Sequence, residues 1–164
     1  MRPMILQALG VALLALMLVG SGVSGAGLGP PWDEVLKGDD KANQLEGGPG
    51  HDRIGGRGGN DTLYGKDGRD LILGGPGNDV VRGGGRGDEL YGGLGNDVLR
   101  GGDGRDVLTG GAGRDRLFGG DADDVIRAAG GGADFVDCGD GDRDRAFVDP
   151  SDLVTGCEKV TVRT

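Results

Sequence analysis

Between Gly47 and Arg127 the chain is written in units of nine. Three of them, GGLGNDVLR, GGDGRDVLT and GGAGRDRLF, stand end to end from Gly92 to Phe118. Units begin at Gly47, Gly56, Gly65, Gly74, Gly83, Gly92, Gly101, Gly110 and Gly119 without a slip. Position 6 is always aspartate: Asp52, Asp61, Asp70, Asp79, Asp88, Asp97, Asp106, Asp115 and Asp124. Position 8 is always aliphatic: Ile54, Leu63, Ile72, Val81, Leu90, Leu99, Leu108, Leu117 and Ile126. A tenth unit, AGGGADFVD, follows a one-residue insertion and carries Asp134 and Val136. Upstream, GDDKANQLE keeps Leu45 in register but has Asn43 in place of the aspartate. Worn units at both ends are what a stacked array leads one to expect.

Each position has a physical reading. Glycines at 1, 2 and 4 admit a tight turn with positive φ, and the aspartate sets a hard anionic oxygen at its end. Positions 7 to 9 predict a three-residue strand whose single aliphatic points inward. So short a strand must stack on others to be stable. Forty glycines in 164 residues make ordering costly, and one aliphatic per unit buries little in return. With 35% hydrophobic residues, many of them in the first twenty positions, and 4% aromatics, a conventional core is excluded.

Units such as GGPGNDVVR, GGLGNDVLR and GGDGRDVLT match G-G-x-G-x-D-x-U-x. In this the chain resembles the RTX, or haemolysin-type, calcium-binding nonapeptide-repeat proteins. The resemblance implies an all-β, right-handed parallel β-roll with two nonapeptides per turn and calcium ions between successive turns. It sorts the aspartates into two columns. One holds Asp52, Asp70, Asp88, Asp106 and Asp124; the other holds Asp61, Asp79, Asp97, Asp115 and Asp134. Adjacent aspartates of a column would share each ion, with glycine-turn carbonyls completing a shell of six or more oxygens, giving about seven or eight ions. Arg57 and Lys66 replace glycine at position 2, and Arg86 and Ala122 replace it at position 4. Distorted turns are therefore expected around Asp88 and Asp124, and Asp70, Asp79, Asp97, Asp106 and Asp115 form the preferred set. Without metal, carboxylates stacked about 5 Å apart repel one another, so folding is expected to require calcium.

The ends carry their own signals. Arg2 precedes an apolar run from Met4 to Val19, and Ser24 and Ala26 fill small positions before a cleavage site. Residues 1–26 therefore read as a secretory signal peptide; an uncleaved anchor is the weaker reading, because the run is short for a span. Residues 27–46 read as a linker and degenerate first repeat, 47–137 as the calcium-binding roll, and 138–164 as a cap. In an exported chain Cys138 and Cys157 read as a disulfide, closing a loop of about 20 residues worth roughly 3 kcal/mol. A zinc-binding thiol pair fits less well, since no histidine is near. Asp140, Asp142 and Asp144 resemble the start of an EF-hand loop, but Arg145 stands where that loop needs glycine and Ser151 where it needs glutamate. An extra ion near Asp140 and Asp142 is the residual option.

A net charge of −9 argues against nucleic acid or an anionic membrane surface as partner, and for cations. No phosphate-loop motif occurs, and His51, the single histidine, falls at a variable turn position with no nucleophile indicated. The reading is a secreted, non-enzymatic calcium-binding protein without a membrane span in its mature form. A calcium-stabilised module that binds a cell-surface or matrix partner is the second reading, with Tyr64, Leu73, Tyr91 and Phe118 as its candidate face. Ordinary half-exposed strand surface is the plainer account of those four.

Overall fold

The computed structural model describes residues 33–163. The signal segment lies outside the described residues. Fifteen strands follow one another: β1 (Val35–Lys37), β2 (Gln44–Glu46), β3 (Arg53–Gly55), β4 (Thr62–Asp67), β5 (Leu71–Pro76), β6 (Val80–Gly85), β7 (Glu89–Leu94), β8 (Val98–Asp103), β9 (Val107–Ala112), β10 (Arg116–Asp121), β11 (Val125–Arg127), β12 (Phe135–Asp140), β13 (Arg145–Val148), β14 (Leu153–Thr155) and β15 (Lys159–Val162). Odd-numbered strands form a parallel sheet of eight and even-numbered strands a parallel sheet of seven. Leu71 of β5 pairs with Arg53 of β3 on one side and Glu89 of β7 on the other. Each coil therefore takes two nonapeptides, and successive units alternate between the sheets. The result is a parallel β-solenoid, as the resemblance implies. No helix of the described residues is long and apolar enough to cross a membrane.

Position 8 supplies the core from both sides. Ile54, Ile72, Leu90, Leu108 and Ile126 stack along the sheet of eight, and Leu63, Val81, Leu99, Leu117 and Val136 along the sheet of seven, all buried. Stacking identical positions at strand spacing gives every side chain the same neighbours, so one aliphatic per unit suffices to fill the interior.

Most strands are twice as long as the three residues expected. They run from position 7 through position 3 of the next unit, because the glycine backbone carries the inter-coil pairing onward: Gly75 pairs with Gly93 and Pro76 with Leu94, and Gly84 pairs with Gly102 and Gly85 with Asp103. The ladders also pass both edges of the segment 47–137, from β1 to β15. Coil length changes near the C-terminus. Arg116 pairs with Phe135, Val125 with Arg145 and Arg145 with Lys159, and the register places the first added residue between Arg127 and Phe135. Cys138 and Cys157 are disulfide-bonded, with Cα atoms 5.1 Å apart.

Candidate metal centre

Every repeat aspartate sits at the turn leading into a strand, and its carboxyl group turns into the coil: Asp52, Asp61, Asp70, Asp79, Asp88, Asp97, Asp106, Asp115, Asp124 and Asp134 are all at most 3% exposed. Their Oδ1 atoms are spoken for. Asp52 N–H donates to Asp70 Oδ1, Asp70 N–H to Asp88, Asp88 N–H to Asp106 and Asp106 N–H to Asp124, at 2.7–2.8 Å. The other column repeats the pattern from Asp61 through Asp79, Asp97 and Asp115 to Asp134, at 2.7–2.9 Å. The two columns drawn from the sequence are thus brought together as two continuous ladders of amide and carboxylate.

The ladders also recruit residues outside the two columns. Asp124 N–H donates to Asp144 Oδ1 and Asp144 N–H to Glu158, while Asp134 N–H donates to Asp152. At the other end Glu34 N–H donates to Asp52 and Asn43 N–H to Asp61. Asp144 is wholly buried, whereas Asp140 and Asp142 are exposed on the turn, so the three do not form a common loop. Asp152 was within reach of sequence reasoning, lying one full coil beyond Asp134. Asp144 was hidden by two added residues in its coil.

The second carboxylate oxygen has a different fate. Oδ2 of Asp61, Asp70, Asp79, Asp88, Asp97, Asp106, Asp115, Asp124, Asp134 and Asp144 is buried with no hydrogen-bond partner among the described residues. Asp52 differs, for its Oδ2 accepts from Gly48 N–H at 2.9 Å. Position 1 must be glycine for the same reason: a Cβ on Gly65 would collide with Asp70 Oδ2 and with the Gly83 carbonyl oxygen of the next coil, and the pattern recurs at Gly56, Gly74, Gly83, Gly92 and Gly101. Two acceptor oxygens, one from a carboxyl group and one from a carbonyl, thus converge on each of these six glycines with no donor for the carboxyl oxygen. A buried carboxylate without a donor is costly unless a proton or a cation joins it.

Burial shifts these groups accordingly. It pushes the carboxyls of Asp61, Asp70, Asp79, Asp115 and Asp144 upward, Asp134 to about 6, Asp88, Asp97 and Asp124 to about 7, and Asp106 to about 8. The backbone N–H on Oδ1 opposes the rise, and neighbouring column carboxylates add to it for most of the set, including Asp88, Asp97, Asp106 and Asp124.

The replaced glycines do not distort their turns. Arg57, Lys66, Arg86 and Ala122 adopt φ of 80°, 85°, 75° and 75°, the left-handed region in which most glycines at positions 2 and 4 lie. The ladder bonds to Asp88 and Asp124 keep ordinary lengths of 2.8 Å. The turn geometry is held by the ladders on either side, so the wrong residue bears strain of about 1–2 kcal/mol instead of moving.

The expected aromatic face is not one face. Tyr64 and Phe118 lie on the sheet of seven, Leu73 and Tyr91 on the sheet of eight, because Tyr64 and Tyr91 are an odd number of repeats apart. His51 is exposed on its turn, where its Nδ1 accepts from Arg69 N–H at 2.9 Å.

The donor set suits a hard divalent cation. It consists of carboxylate and carbonyl oxygens alone, and among the described residues no three acidic, histidine or cysteine side chains gather at one point, so turn carbonyls must supply most of any shell. Calcium, with six to eight oxygens in flexible geometry, fits such a set better than magnesium does. Comparison with curated proteins returned no match. A family model for the RTX calcium-binding nonapeptide repeat matches residues 33–63, 55–90, 82–117, 91–126 and 109–143. With repeat spacing, solenoid and oxygen-lined columns in agreement across that span, the chain belongs to the RTX calcium-binding nonapeptide-repeat family, whose repeats bind Ca2+ at multiple sites.

Proposed function

We propose that this is a secreted, non-enzymatic protein in which calcium is held between successive coils by the column aspartates, and that binding and folding are one event. The observation that carries this reading is the set of buried, unpartnered Oδ2 atoms, repeated coil after coil. Each ion would sit between the Oδ2 atoms of neighbouring aspartates in a column and the turn carbonyls beside them. Asp144 joins the ligands, and Asp52, whose Oδ2 already has a donor, contributes least. Calcium replaces the protons that these carboxyls otherwise need, and converts the repulsion along each column into attraction.

Export is supported by the N-terminal apolar run and by the Cys138–Cys157 disulfide, which belongs to an oxidising compartment. Extracellular calcium near 1 mM would saturate sites of about 10⁻⁴ M, each adding about 1.4 kcal/mol. The test is a calcium titration of the chelator-treated protein followed by far-UV circular dichroism, with magnesium as control. A steep, calcium-specific gain of β-signal is expected. A coil fully formed in chelator would separate binding from folding and sink the coupled reading.

A further inference from the structure

On the sheet of seven, one outward row runs Glu46, Tyr64, Arg82, Arg100, Phe118 and Asp137 on successive strands, with Glu46 paired to Lys66 at 2.8 Å. Arg82 lies over the Tyr64 ring at 5.3 Å from its centroid, and Arg100 and Arg116 lie over the Phe118 ring at 4.9 and 5.5 Å. Phe135 packs against Phe118 with ring centroids 5.7 Å apart. The three arginines are exposed, and among the described residues none is ion-paired with a carboxylate. On a chain of net charge −9 these three arginines make a short cationic strip, bounded along its row by Glu46 and Asp137.

We propose that this strip binds a linear anionic glycan, a chain of sugars bearing carboxylate or sulfate groups. The rings hold the guanidinium planes in place, so little side-chain entropy is lost when their forks meet an anion bidentately. Spacing selects the polymer. The row advances one strand per group, about 4.8 Å, close to the length of one sugar ring, so a glycan that carries anionic groups at several positions of every ring can present one to each arginine. An extended peptide advances about 3.4 Å per residue and presents same-side groups twice that far apart, out of step with the row. A nucleic acid duplex would meet Asp103, Asp121 and Asp140, which form a second, acidic row at the ends of the same strands. The proposal is independent of which residues hold calcium, needing only an intact coil.

The test uses the calcium-loaded full chain, immobilised, with dextran sulfate as probe and uncharged dextran, poly-glutamate and duplex DNA as comparisons. Dextran sulfate is expected to bind in a salt-sensitive manner and the others weakly or not at all. The pair Arg82→Gln and Arg100→Gln should weaken binding about ten-fold or more. The pair Arg127→Gln and Arg145→Gln, which flank Phe147 on the opposite sheet, should leave it unchanged. Circular dichroism with its calcium midpoint is read for each variant, which separates loss of the strip from loss of the coil. Arg100→Lys, which keeps charge but not the fork, should weaken binding several-fold even if the paired variant fails to fold. Absence of dextran sulfate binding, equal binding by the Arg82/Arg100 variant, or tighter binding of poly-glutamate or DNA overturns the proposal.

Discussion

A column aspartate here does two jobs with its two oxygens, one accepting from the backbone a coil away and the other left for a cation or proton. Asp106→Asn separates them. Its amide keeps an acceptor for Asp88 N–H but removes the charge, so more coil is expected in chelator and a calcium midpoint about ten-fold higher, read by circular dichroism. Titration provides a second check. The column carboxyls are raised in the folded coil above their ordinary 3.8, so the folded state holds more protons than the unfolded one. Metal-free coil is therefore most stable below about pH 4 and loses that contribution as pH rises through about 8. A β-signal in chelator that grows between pH 4 and 9 would contradict this. Arg86, at φ 75°, gives a third test: Arg86→Gly should raise stability by about 1 kcal/mol in a thermal melt with calcium. Positions 6 and 8 were legible because nothing interrupts their spacing from Asp52 to Ile126. The left-handed φ of Arg57 and Lys66 was not, since an arginine or lysine in sequence argues for ordinary backbone and only the neighbouring coils force the exception.

Strand and coil obey the same logic at larger scale. Leu99 on β8 is fully buried between its partners Val81 and Leu117, so Leu99→Ala opens a void repeated nowhere else and should cost about 2–5 kcal/mol in calcium, measured by chemical denaturation. The disulfide ties β12 to the turn before β15, joining the last coils where their lengths depart from eighteen. Its reduction should cost roughly 3 kcal/mol and loosen β13 to β15 first, visible as early amide exchange there. The alternation of units between two sheets followed from two repeats per turn; it also parts Tyr64 from Tyr91, a consequence that grouping the four side chains as one face overlooks. The six-residue strands were invisible because positions 1 to 3 have few side chains to show a period: their backbone hydrogen bonds, which no residue type announces, extend the ladder. Asp144 was missed for a related reason, because insertions move a column member out of a nine-residue frame while the ladder itself absorbs them.

At the level of the molecule, among the described residues each strand pairs only with strands of the coils before and after it, so stability accrues coil by coil, and in the proposed function ions shared across the seams would carry the cooperativity. The ladders described above place at least ten acidic groups along the interior of a chain whose formal charge is −9. Each bound ion brings two positive charges, so about five would carry the protein past neutrality, and fuller loading would leave it a cation. Its direction of migration in an electric field should then invert between chelator and millimolar calcium, with a passage through its least soluble, most self-associating composition on the way. A protein built this way has no fixed isoelectric point; the salt around it decides its sign, and with it which surfaces attract it and which turn it away.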